Sequence, residues 1–261
     1  MAHKTLIGGT AYALKGGRDL IGGTGYSIKS GKTLIGGTAY DIQFAVKVPL
    51  NTVEPGAILY LNESGSPVPF YIAKHDYESG LNGDGRTLLV RKDCYDVRAF
   101  HSTPPGMYLN CDLDTWLNST YPDFLDDSVK TLAGTTKIYC YSNSGTLAGW
   151  QRAAFQLSTN ELGGTLGAHT GEGTELPIAS MLHSAQLNGA ACSQWTRTVS
   201  TLYYAPTGMT LINITYWKED GTESSEPSGG VGKQHGSRPA FTLPGTLEVI
   251  QQSDGSYTVA A

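Results

Sequence analysis

The sequence predicts an all-β or β-rich fold with many tight turns, and three observations carry that expectation. Glycine supplies 33 of 261 residues while charged residues make up only 16%. Apolar residues come in short runs bounded by turn formers, the mark of short strands. Helical periodicity appears in one region only, between residues 112 and 132, so helices are few and local.

The first element is a repeat. A unit containing Leu-Ile-Gly-Gly-Thr recurs at 14-residue intervals over residues 4–17, 18–31 and 32–43. Gly8-Gly9, Gly22-Gly23 and Gly36-Gly37 supply one set of two-residue turns, and Gly16-Gly17 and Ser30-Gly31 the other. Two-residue glycine loops favour the turns that match strand twist. Each unit therefore predicts strand, turn, strand, turn, and three units predict a small meander. Such a ribbon buries little by itself. Ile7, Tyr12, Ile21, Tyr26, Ile35 and Tyr40 are its anchor candidates, expected to pack against copies of the chain or a larger assembly. Residues 1–43 are thus expected to be an anchor or oligomerisation module, and residues 44–261 a separate domain.

In that domain, residues 57–61, 68–73 and 87–91 read as strands, each following a turn. Asn82 and Asp84 alternate in the turn before the third, but the closing Glu of a calcium loop is missing. A helix is predicted over 113–119, with Asp112 as its N-cap and Leu113, Trp116 and Leu117 on one face. A second is predicted from about 123 to 132, after Pro122, placing Phe124, Leu125, Val129 and Leu132 inward. Residues 137–141 and 153–157 read as strands, and 157–162 as a strand end running into a short cap.

Trp195-Thr-Arg-Thr198 and Gly236-Ser-Arg-Pro-Ala-Phe241 read as core strands. Trp116, Trp195, Arg197, Arg238 and Phe241 are the structural-core candidates. The two arginines are expected to pair with a buried carboxylate or with backbone carbonyls, and Asp96, Asp112 and Asp114 are candidate partners. The stretch between the brackets, 199–235, carries Tyr203, Tyr204, Tyr216 and Trp217 among serines and glycines. Long loops of that palette are usually functional, because tyrosine gives contact area at low entropic cost. These four aromatics are the ligand-binding candidates of a display loop. An ordinary hairpin, with 211–217 returning through a Ser/Gly turn, is the alternative.

Several classes are excluded. Net charge is −5 and no basic stripe is present, so nucleic acid is not an expected partner. No apolar run reaches membrane-spanning length, and Met1-Ala-His-Lys-Thr5 lacks the apolar segment of a secretory signal. Cys94, Cys111, Cys140 and Cys192 stand far apart without a CxxC. They read as buried small apolar groups rather than zinc ligands, with a single disulfide left open. The six histidines show no HxH or HExxH spacing. His169 and His183 stand near Glu172 and Glu175, which is too little for a metal site. No Gly-x-Ser-x-Gly elbow is present. No cofactor and no enzymatic activity are expected.

The order Asn82-Gly-Asp-Gly-Arg-Thr87, Arg91-Lys-Asp-Cys-Tyr-Asp-Val-Arg98, Asp112-Leu-Asp-Thr-Trp-Leu-Asn118, Phe155-Gln-Leu-Ser158 with Glu161-Leu162, Trp195-Thr-Arg197 and Gly236-Ser-Arg-Pro-Ala-Phe241 resembles DUF6273-type domains of Firmicutes and their phages, over about residues 50–245. The resemblance implies a C-type-lectin-like α+β domain, related to formylglycine-generating enzymes and retroelement variable proteins. Two helices would flank a twisted antiparallel sheet, with 199–235 as the ligand-binding face. The redox cysteine pair of the enzymes is missing, since Cys192 stands alone in the last third. Glu226-Pro-Ser228 lacks the amide of a calcium-lectin tripeptide. The Leu-Ile-Gly-Gly-Thr repeats are similar to N-termini of phage tail-region proteins. Together these resemblances imply a virion protein of a tail, baseplate or fibre, assembled in the host cytoplasm. It would be a homo-oligomer among other virion proteins and would bind a bacterial surface glycan or protein. A purely architectural decoration protein of tail, neck or capsid is the alternative.

Overall fold

A computed structural model describes residues 4–7, 10–13, 18–21, 24–27, 30–35, 38–43, 46–102, 107–142, 145–166, 171–204, 210–227 and 232–260, with side chains from residue 46 onward except 201–212. The chain divides into two compact units, Met1–Lys47 and Val48–Ala261.

In the first unit each repeat forms one antiparallel hairpin. The pairs are β1 (Lys4–Ile7) with β2 (Thr10–Ala13), β3 (Arg18–Ile21) with β4 (Thr24–Ser27), and β5 (Ser30–Ile35) with β6 (Thr38–Gln43). Ile7, Ile21 and Ile35 close the first strands opposite Thr10, Thr24 and Thr38. Tyr12, Tyr26 and Tyr40 pair with Thr5, Asp19 and Thr33. Among the described residues the hairpins remain three separate two-stranded sheets rather than the expected meander. The side chains of the six anchor candidates lie outside the described residues.

The second unit is built on two larger sheets. Its strands are β7 (Lys47–Pro49), β8 (Ile58–Glu63), β9 (Ser66–Lys74), β10 (Arg86–Arg91), β11 (Asp96–Ala99), β12 (Thr136–Tyr141), β13 (Leu147–Arg152), β14 (Ala185–Leu187), β15 (Ala190–Cys192), β16 (Gln194–Tyr204), β17 (Thr210–Trp217), β18 (Glu223–Glu226), β19 (Gln234–Ser237), β20 (Ala240–Pro244), β21 (Glu248–Gln251) and β22 (Tyr257–Val259). One sheet runs β20-β10-β9-β8-β22-β21-β7 and the other β11-β19-β16-β17-β18. The β8–β9 turn sets Ser64 at φ 53° and Gly65 at φ 76°, the positive pair that matches strand twist. Thr87 to Val90 are all buried, so β10 is covered on both faces. Phe70 meets Phe241 edge-on at 5.4 Å, and Tyr77 stacks on Phe155 at 5.7 Å.

The fold class departs from expectation. Strand accounts for 42% and helix for 16%, one sheet curls into a half-barrel, and the helix-flanked layout of a C-type-lectin-like α+β domain is not found. The helices are too short for it. The longest among the described residues, α1 (Asp112–Ser119), has eight residues and spans about 12 Å. Its cap is Cys111, whose sulfur accepts the Asp114 amide, not Asp112. The expected second helix is broken. A 3-10 turn over Tyr121–Phe124 gives way to extended Leu125, which bridges to Glu63 of β8, and the helix resumes only over Asp127–Ala133.

The strand expected at 153–157 is also absent. Phe155 makes an isolated bridge to Ala240, and the strand that pairs with β12 is the more polar β13 just before it. The stretch 199–235 is largely a hairpin of β16 and β17 with β18 alongside, so the irregular display loop gives way to the hairpin alternative. Among the described residues no helix is long and apolar enough to cross a membrane.

Candidate functional site

The site rests on a buried charge frame. Ser158 and Glu161 form a reciprocal cap. The Glu161 amide donates to Ser158 Oγ at 3.0 Å, and the Ser158 amide to Glu161 Oε2 at 2.9 Å. This fixes the carboxylate where Arg197 of β16 meets it with two bonds, Nη1 to Oε2 at 2.7 Å and Nη2 to Oε1 at 3.0 Å. The remaining guanidinium hydrogens go to the carbonyls of Tyr139, Gln156 and Glu172. All five donors are satisfied, as a fully buried guanidinium requires. The Tyr77 hydroxyl donates to Glu161 Oε1 at 2.5 Å, the oxygen that also accepts from Arg197 Nη2. Burial and the neighbouring Glu161 charge hold the Tyr77 phenol well above its ordinary pKa. Gly173, at φ +99°, lies so close that a Cβ there would stand 2.7 Å from Glu161 Oε1.

Arg238 is buried without a carboxylate. It donates to the carbonyls of Arg91, Lys92, Leu182 and Ser184 and to Gln194 Oε1. Burial lowers its pKa from the usual arginine value. The carboxylates expected beside these arginines are engaged elsewhere: Asp96 with Arg98, Asp112 with His101, and Asp114 with Arg152.

On this frame β16, β17 and β19 bring three rings together. Trp195 lies opposite Tyr216 in the β16–β17 ladder, and its indole N–H donates to the Arg98 carbonyl at 2.8 Å. His235 of β19 sits between them, edge-on to Trp195 at 4.3 Å and stacked on Tyr216 at 3.9 Å. Its Nδ1 is 2.7 Å from Ser193 Oγ. Its buried Nε2 makes no hydrogen bond and stands 3.6 Å from Glu226 Oε1. Burial lowers the His235 pKa below the ordinary imidazole value, partly offset by the Glu226 carboxylate.

Outside this ring stack opens a cavity of about 340 Å³ lined by Ser193, Tyr216, Lys218, Glu219, Asp220 and His235. It offers a phenol ring, a hydroxyl, an imidazole, an ammonium and two carboxylates. That set can accept from and donate to a ligand rich in hydroxyls while a ring covers its apolar face. Among the described residues no group of three or more metal-ligating side chains converges.

Of the ligand-binding candidates, Tyr216 lies at this cavity. Trp217 turns inward, 5% exposed, and stacks on His183 at 3.9 Å. Tyr203 and Tyr204 pair with Leu211 and Thr210 at the far end of the hairpin, and their side chains lie outside the described residues. Of the core candidates, Trp195, Arg197, Arg238 and Phe241 are buried. Trp116 is partly exposed beneath the Arg98 guanidinium, 3.6 Å from its ring centre. Sequence reasoning missed Ser193, Lys218, Glu219, Asp220 and His235 as site residues. The signal for the cavity was the Lys218-Glu-Asp-Gly221 turn, which supplies three of its walls.

Neither the curated proteins nor the solved structures yield a match to this chain. Residues 84–245 match the family model described as a domain of unknown function, DUF6273. That stretch runs from the turn before β10 to the end of β20 and carries Arg91, Glu161, Trp195, Arg197, His235 and Arg238. It covers more than half of the chain, and the protein therefore belongs to the DUF6273 family.

Proposed function

We propose that the protein is a structural component of a phage virion, in the tail, baseplate or a fibre, and that its second unit binds a hydroxyl-rich ligand on the bacterial surface. The observation that carries the binding half is the Tyr216–His235 stack at the mouth of a polar cavity. The three repeats support the anchoring half, since each folds as a hairpin too small to stand alone. One such cavity per subunit binds weakly, and an array of subunits raises the avidity by multivalency. Burial of Trp217 favours a second reading, an architectural decoration protein without a receptor, because it removes one large ring from the contact surface.

Removing residues 1–43 tests the anchoring half. The shortened chain is expected to unfold as one cooperative unit in urea while disappearing from purified particles, read by mass spectrometry of the virions. Particles that still carry the shortened chain in normal amount would refute the anchor.

A further inference from the structure

Two of the four cysteines, 98 positions apart in the sequence, meet in the fold. Cys94 lies in the turn after β10, and its amide donates to the Gln186 carbonyl of β14 at 2.9 Å. Cys192 lies opposite Ala185 across the β14–β15 hairpin. Cys94, Ala185 and Cys192 form a small buried cluster of their own. Gly236 of β19 leaves the space both sulfurs need. A Cβ there would stand 2.2 Å from the Cys94 sulfur and 3.0 Å from the Cys192 sulfur. Cys111 and Cys140 belong instead to the main core.

The geometry points to a covalent redox site: Cys94 and Cys192 close into a disulfide when a peroxide reaches them. A cavity of about 290 Å³, lined in part by Arg91, Asp93 and Tyr95, leads to Cys94. The two neighbouring thiols act on each other, which lowers the Cys192 pKa below that of an ordinary thiol and raises that of Cys94. Either thiolate can attack first, and with Cys192 in that role the step balances. Its sulfur bonds to one peroxide oxygen and the O–O bond breaks. The departing hydroxide takes the Cys94 proton and leaves as water. The Cys94 thiolate then attacks the Cys192 sulfenic acid, the S–O bond breaks, and this second hydroxide leaves as water with the proton Cys192 first gave up. Two thiols lose two electrons, and one hydrogen peroxide becomes two waters. The bond ties the β10 turn to the residue before Ser193, at the edge of the ligand cavity. It would remain open in a reducing cytosol and close outside it. The inference does not depend on the virion reading.

The test uses the reduced full-length chain, treated while folded with hydrogen peroxide, then unfolded with a thiol alkylator and mapped by mass spectrometry. The expected result is two alkylated cysteines, 111 and 140, and one linked peptide pair joining 94 to 192, released by a reducing agent. Cys94→Ser and Cys192→Ser should each abolish the linked pair. The wild-type map stands by itself if either variant fails to fold. Four alkylated cysteines, a link through Cys111 or Cys140, or sulfinic acid at Cys192 without a link would each overturn the proposal.

Discussion

Replacing Glu161 by alanine is expected to remove about 3–5 kcal/mol of folding stability, the cost of stranding a buried charge. Arg197 and Glu161 are both fully buried, and their ion pair is reached by no solvent. Without Glu161 the guanidinium keeps its three carbonyl acceptors but loses its two-pronged carboxylate partner, and the Tyr77 hydroxyl loses its acceptor. Water cannot enter cheaply, because Gly173 and the Ser158 cap pack against the carboxylate. Urea unfolding should show a lower midpoint with little change in slope. The double variant Glu161→Leu with Arg197→Met should lose less than the sum of the single changes, since it removes the stranded charge as well as the pair. A loss under about 1 kcal/mol for Glu161→Ala would mean the pair behaves as a solvated one.

Trp195→Ala is expected to cost about 3–5 kcal/mol as well, through loss of a large buried side chain. The indole is 1% exposed and sits edge-on to Phe100 at 5.4 Å and to His235 at 4.3 Å. Trp195→Phe separates two contributions. It keeps most of the ring packing but leaves the Arg98 carbonyl without its 2.8 Å donor, a cost of about 1–2 kcal/mol. The phenylalanine variant should therefore retain most of the stability that the alanine variant loses in urea unfolding. Equal losses would mean that the indole nitrogen, rather than ring volume, holds β16 to β11.

Much of the strand pattern was legible. The strands expected at 57–61, 68–73, 87–91 and 137–141 all form, because each is a short apolar run closed by a turn whose residues tolerate the required backbone. The error at 147–157 has a physical cause. Leu147–Arg152 pairs with β12 while exposing much of its length, so it carries little apolar signal. Residues 153–157 are apolar because they are buried as irregular chain, with Phe155 bridging Ala240 and the Leu157 carbonyl accepting the Arg197 amide. Burial and strand are different things, and periodicity reports the first.

The charge frame was half legible. Arg197 and Arg238 could be read as core, but their partners were sought among the nearest acidic motifs. Glu161 could have been found from Ser158-Thr-Asn-Glu161, a capping-box spacing that places an acid against a helical turn. The helix-flanked layout failed because it came from resemblance, whereas the lengths of the helical runs, read alone, already argued for short ones. The Cys94–Cys192 meeting had no local signal at all. Only the return of β14 and β15 to the β10 turn creates it.

Binding to an immobilised panel of bacterial surface saccharides, comparing the full chain with Tyr216→Ala, tests the ligand site at the Tyr216–His235 cavity. The wild-type chain is expected to bind at least one hydroxyl-rich saccharide, and Tyr216→Ala to weaken that binding roughly tenfold, about 1.4 kcal/mol, without loss of fold. Saturable binding that Tyr216→Ala leaves unchanged, or no binding to any saccharide by the full chain, would contradict a ligand site at the Tyr216–His235 cavity.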